Sequence, residues 1–382
     1  MPKLVGHIGQ WYRNTAQILM NVFVLLVCVN IAAYGYLKLG GNPEENVITR
    51  KYGKDTVQIV YPDMSKNDVN QMLDETWSNN LIYEPFTQFR HAPFNGKFVN
   101  VDKAGYRHSI NQGAWPPESE NYNIFIFGGS TTFGSGVADD KTIASQLQQY
   151  LVNKTEQNVK VYNFGRGYYY SSQEQILFLR LLQAGHKPDL ALFIDGLNDF
   201  YFFDDTPEFT KRLEKACYKV QGAKKRIGGA LSILFSNMPV SRLIFTGHAK
   251  HGGSNMVEEN HHVIDSVINR YLASKKIIEL VSGGHGIKSL FVWQPAPTYK
   301  YDDTNHLFKG EGYGRHRYSM HGYKQMSVLY KSGNAGENFV WCADMQADLK
   351  GPLYVDQVHY TEKFSEMIAA RIGETIISRG LM

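Results

Sequence analysis

Ile124-Phe125-Ile126-Phe127-Gly128-Gly129-Ser130-Thr131-Thr132-Phe133-Gly134 is the stretch on which the fold turns. Apolar β-branched and aromatic residues run straight into a pair of glycines. That pattern reads as a short buried strand ending in a turn. Three readings of the turn compete. Gly129 and Gly134 have the spacing of a phosphate-binding loop, but Ser135-Gly136 stand where that loop needs a lysine and a hydroxyl residue. The G-x-S-x-G elbow of α/β-hydrolases fails at Thr132, where its last glycine belongs. What is left is a serine on a strand-to-helix turn, where the helix N-terminus favours developing negative charge. Alone, Ser130 could equally be a helix cap.

Outward from this turn, strands and helices alternate. Thr142 to Val152 reads as a helix, and Lys160 to Asn163 ends a second strand. Ser172 to Ala184 carries Ile176, Leu177, Leu179 and Leu182 on one helical face. Leu190 to Ile194 is a third strand. Val263 to Leu280 is helical, Leu290 to Trp293 is a fourth strand, Phe339 to Trp341 a fifth, and Lys363 to Ile377 a closing helix. The alternation predicts an α/β fold, a flavodoxin-like three-layer sandwich with a parallel sheet covered on both faces. Such sheets place their sites at the carboxyl ends of the strands.

The 382 residues are 43% hydrophobic and 20% charged, enough for one large globular domain and an extra segment. The net charge of +4 is spread out apart from runs such as Lys224-Lys225-Arg226, so no nucleic-acid partner is expected. Ile18 to Leu37 contains no charged residue and has the length of a transmembrane helix. The reading favoured is an uncleaved anchor in the lipid bilayer over residues 1–38, with a cleaved signal peptide as the alternative. Lys3 and Arg13 before the helix suggest that the domain lies outside the cytoplasm, although Arg50, Lys51 and Lys54 follow it closely. Residues 39–120 read as a polar, extended lead-in broken by prolines, and 121–382 as the main domain with an insertion around 201–260.

Three further strand ends or late loops carry candidate chemistry. Asn163-Phe164-Gly165-Arg166-Gly167 offers a backbone N–H to an oxyanion, or makes a tight turn. Gly196-Leu197-Asn198-Asp199 offers an amide side chain, or again a turn. Asp356-Gln357-Val358-His359 spaces a carboxylate and an imidazole so that one can orient the other.

The ordered set resembles the SGNH (GDSL-type) hydrolase superfamily, with its Ser, Gly, G-x-N-D and D-x-x-H blocks. The resemblance runs over roughly residues 120 to 380. Asn100 through Gly105-Tyr106-Arg107 is similar to the N-x-x-G-[FY]-R lead-in of membrane-anchored bacterial members. It implies Ser130 as nucleophile, His359 as base oriented by Asp356, and Asn198 with a glycine N–H as oxyanion donors. Two departures stand out. The family's Gly-Asp-Ser-Leu is Gly-Gly-Ser-Thr here. In the Gly block, alignment on Asn163 without a gap puts Tyr168 at the oxyanion position, and a one-residue gap puts Gly167 there; Gly167 is the residue taken.

Tyr168, Tyr169, Phe200 and Trp293 are expected to line the substrate pocket, against the plainer reading of core packing. No cofactor and no metal are expected. His248 and His251 have a spacing that a metal could use, but no acidic third ligand accompanies them. Cys217 and Cys342 could pair, with separate buried thiols the plainer reading. The expected function is acyl-ester hydrolysis or O-acyl transfer on an envelope glycan or lipid-linked ester. The rival from another class is a non-catalytic glycan-binding or assembly subunit.

Overall fold

A computed structural model describes residues 2–39, 46–214, 238, 240, 260–309 and 313–382. The chain divides into two compact units, Met1–Glu45 with Arg212–Gly253, and Asn46–Lys211 with Ser254–Met382.

In the first unit α1 spans Pro2–Leu39. Pro2 at the first helical position has a fixed φ suited to a helix start. Nothing downstream breaks the helix, so it begins well before the apolar stretch. Gly9–Tyr36 is long and apolar enough to cross a membrane. Phe23, Leu25 and Ile31 are among the apolar residues exposed on it. The inserted segment read from the sequence around 201–260 lies largely outside the described residues, as do His248, His251 and Cys217.

The second unit is built on a parallel sheet. Residues 46–120 precede it, and they are not an extended lead-in. They form α2 (Val47–Tyr52), α3 (Lys54–Ile59) and α4 (Lys66–Trp77), then the antiparallel pairs β1 (Leu81–Glu84) with β2 (Gln88–His91) and β3 (Phe94–Asn95) with β4 (Asn100–Val101). Val69, Met72 and Leu73, spaced along one face of α4, join Val57 and Tyr61 in a small core that includes Val355. Polar composition hid these few apolar positions, whose partner lies far along the chain.

The main sheet contains β5 (Tyr122–Gly128), β6 (Val159–Asn163), β7 (Leu190–Asp195), β8 (Lys288–Trp293) and β9 (Phe339–Trp341). Their order is β6-β5-β7-β8-β9, all parallel. This is the flavodoxin-like order, whose switch point lies between β5 and β7. Alternation along β5 sorts the two faces. Ile124 and Ile126 pack with α6 (Ile143–Lys154) and the closing helix from Glu362–Ser378. Phe125 and Phe127 pack on the opposite face with Phe178, from α7 (Ser171–Gln183), and Phe291. The sheet lies between helices, so most residues of its strands are apolar on both sides. The helix Tyr318–Lys331, not anticipated from the sequence, buries Tyr323 and Met326 on the aromatic side.

Candidate active site

The switch point brings the sequence blocks together. Ser130 is the first residue of α5 (Ser130–Phe133), a four-residue helix capped by Gly134 in the left-handed region at φ 88°. The Gly134 and Ser135 N–H groups donate to the Ser130 carbonyl, which closes the turn. Arg107, from the lead-in, is fully buried behind it. Its guanidinium donates to the Phe133, Gly134 and Val137 carbonyls at 2.9, 2.6 and 2.6 Å, and to the Asp139 carboxylate at 2.8 Å. A cation thereby satisfies the carbonyls that so short a helix leaves open.

His359 Nε2 lies 2.8 Å from Ser130 Oγ, and His359 Nδ1 lies 2.7 Å from the Asp356 carboxylate. The other Asp356 oxygen accepts the Val358 and His359 N–H groups, each at 2.9 Å. The three-residue spacing is thus a carboxylate that caps its own turn while holding the ring. Burial pushes the Asp356 carboxyl up, but the His359 ring and these N–H donors outweigh it and hold the carboxyl at about 2. The Trp77 ring stands edge-on to His359, 5.7 Å between centroids.

Asn198 lies in α8 (Leu197–Tyr201), at the end of β7. Its amide donates one proton to the Tyr169 carbonyl at 2.7 Å, which leaves the second N–H for a ligand. A Cβ on Gly129 would lie 2.4 Å from that nitrogen, so the turn needs glycine there. The Asp199 carboxylate accepts the Gly196 N–H and the Ser171 hydroxyl, fixing the loop that carries Asn198.

The Gly167 N–H donates to His91 Nε2 at 3.1 Å. His91 stacks on Phe133 at 4.1 Å. Burial, with Arg166 and Arg107 adding to it, lowers its pKa to about 3, so the ring is neutral. Tyr168 takes a left-handed φ of 65°, a conformation that favours glycine. Its N–H has no hydrogen-bond partner among the described residues. In this geometry the free backbone donor of the block is Tyr168 rather than Gly167.

A cleft of about 280 Å³ opens over Ser130, Gly167, Asn198 and His359. Of the four aromatic residues expected along it, Tyr168 alone is among its lining side chains. Tyr169, Phe200 and Trp293 are fully buried in the core on the aromatic face. They flank the site in sequence, but their rings point into the layer beneath. Thr76, Trp77, Asn79, Leu81 and His91, from the stretch read as a lead-in, line the cleft instead, together with Tyr201 and His316. Apart from Tyr201, in the aromatic run Phe200-Tyr201-Phe202-Phe203 that follows Asp199, none of these stood in a recognisable motif. Cys342 is buried, and burial pushes its thiol up to about 12.

A parallel doubly wound sheet with serine, imidazole and carboxylate in one hydrogen-bonded line at its switch point defines an α/β protein with a Ser-His-Asp constellation. The chain belongs to the GDSL-like lipase/acylhydrolase family, whose sequence model matches residues 124–372. It is accordingly an ester-hydrolysing enzyme of that family. No curated protein matches the chain. Solved structures similar to it include an acetyl xylan esterase at 14% identity, covering 66% of this chain and 99% of that one with a TM-score of 0.38. A carbohydrate acetylesterase from Sinorhizobium meliloti, at 14% identity, covers 68% and 100% with a TM-score of 0.37. A member of the lipolytic G-D-S-L family from Veillonella parvula, at 14% identity, covers 67% and 98% with a TM-score of 0.35.

Proposed function

We propose that this chain is a serine-dependent acyl-ester hydrolase or O-acyltransferase acting on an envelope glycan or a lipid-linked ester. In this reading α1 anchors it in the bilayer and the domain lies outside the cytoplasm. The observation that carries the chemistry is the line from Ser130 Oγ through His359 to Asp356, with both distances below 3 Å. His359 Nε2 takes the hydroxyl proton as Ser130 Oγ attacks the acyl carbonyl, and the Asp356 carboxylate stabilises the imidazolium that forms. Charge on the carbonyl oxygen is met by the free N–H of Asn198 and by a backbone N–H of the Gly block, with Gly167 or Tyr168 as donor. The unpaired Tyr168 N–H favours Tyr168, and Gly167 would serve only after releasing His91.

Collapse of the intermediate expels the alcohol, which takes the proton back from His359. The acyl group is then an ester on Ser130. Water or a second hydroxyl, deprotonated by His359, releases it, giving hydrolysis or transfer. The test is product partition on the full chain in detergent micelles. With 4-nitrophenyl acetate as donor, adding an oligosaccharide acceptor should divert acetyl from acetate to a sugar ester if the enzyme transfers. Acetate alone identifies a hydrolase, and absence of both products overturns the reading.

A further inference from the structure

We propose that residues Thr76 to His91 form a substrate wall that recognises an uncharged, hydroxyl-bearing sugar unit carrying the ester. This deepens the serine-ester reading above and rests on it. The wall lies outside the span matched by the family model, residues 124–372, yet faces Ser130 and His359 across one cleft.

The first observation is charge. Among the described residues that line the cleft there is no Lys, Arg, Asp or Glu. Its histidines beyond His359 are His91 and His316. Burial lowers them to about 3 and about 4, the nearby charges of Arg166 and His359 respectively adding to it, so both are neutral. A phosphate or carboxylate entering here would lose its water and find no Lys or Arg among the described residues that line the cleft, which is costly.

The second observation is a set of unmet hydrogen bonds. Asn79 Nδ2, His91 Nδ1 and His316 Nδ1 are buried and without a partner, and all three side chains line this cleft. Buried polar atoms are rarely left so. Their roles follow from their neighbours. Asn79 Nδ2 can only donate. His91 Nε2 accepts from Gly167, so the proton of the neutral ring is on Nδ1, a donor. His316 Nδ1 donates or accepts according to the tautomer of its neutral ring. Two donors and a third nitrogen that can take either role, all neutral, suit hydroxyl groups, which both donate and accept. A long acyl chain would meet none of them.

The third observation is shape. Trp77, Tyr168 and Tyr201 put aromatic surface into the same cleft, which suits the apolar face of a sugar ring.

The test is calorimetric binding of a partially O-acetylated xylo-oligosaccharide to the full chain carrying Ser130→Ala. Binding is expected, and adding Asn79→Ala or His316→Phe should weaken it roughly tenfold each, the size of one hydrogen bond. The ratio of kcat/KM for that oligosaccharide to kcat/KM for 4-nitrophenyl acetate should fall by a similar factor in the single Asn79→Ala and His316→Phe variants. Thermal melting checks the fold, and Asn79→Ser replaces Asn79→Ala if the latter melts early. No binding, unchanged affinity in both folded variants, or tighter binding of O-acetylated oligogalacturonate or of a long-chain monoacylglycerol would overturn the wall. Residual turnover of 4-nitrophenyl acetate by Ser130→Ala would instead overturn the serine reading, and the binding result would stand apart from it.

Discussion

Removing the Ser130 hydroxyl or the His359 ring breaks the same 2.8 Å hydrogen bond, so the two losses should not add. Ser130→Ala and His359→Ala should each lower kcat by roughly 10⁴- to 10⁶-fold, and the double variant should be no worse than either. A double variant that loses the product of both factors would mean that the residues act separately. At Asp356 the sign of the pH effect is set by its low value of about 2. A carboxyl held below its ordinary range favours the folded, ionised form. Its contribution is complete above that range and is lost as pH falls towards 2. The pH profile of kcat/KM should therefore contain no step from Asp356 above about pH 3. A step at about pH 4 that disappears in Asp356→Asn would contradict this. The D-x-x-H pair was legible because a carboxylate capping its own turn demands that spacing. The Gly block was less so, because Tyr168 holds a backbone angle that the sequence assigned to glycine. Trp77, His91 and His316 were invisible, since a single side chain facing a cleft leaves no pattern in its neighbours.

The nucleophile turn is held by parts of the chain that the eye separates. Gly129→Ala would place a methyl 2.4 Å from Asn198 Nδ2. The displaced amide should lower kcat on the order of a hundredfold, with KM and melting temperature less affected. Equal kcat in a folded Gly129→Ala protein would remove Asn198 from the chemistry. Arg107→Ala leaves the Asp139 carboxylate and several carbonyls without their cation, and should cost about 3–5 kcal/mol in stability. Chemical denaturation measures it, and a loss under about 1 kcal/mol would show water replacing the guanidinium. The five strands were readable because a strand covered on both faces is apolar throughout. The helices α2 to α4 were not, because they are short, mostly polar, and stable only against Val355 and its neighbours.

At the scale of the whole molecule, the sequence alone indicated a sheet of parallel strands and an apolar N-terminal helix, because both depend on local runs of residues. It did not show that residues 46–120 complete the cleft, since that depends on contacts far apart in the chain. The anchor reading predicts that the full chain partitions with membranes and that a C-terminal reporter active only after export is active. Reporter activity confined to the cytoplasm would reverse the orientation. The proposed chemistry itself reduces to whether Ser130 is a nucleophile activated by His359. Labelling of the full chain in membranes with a fluorophosphonate, followed by mapping of the modified residue, measures this directly. The result predicted is a single adduct on Ser130, lost in Ser130→Ala and strongly slowed in His359→Ala. A folded chain that takes no label, or takes it on another residue, would contradict it.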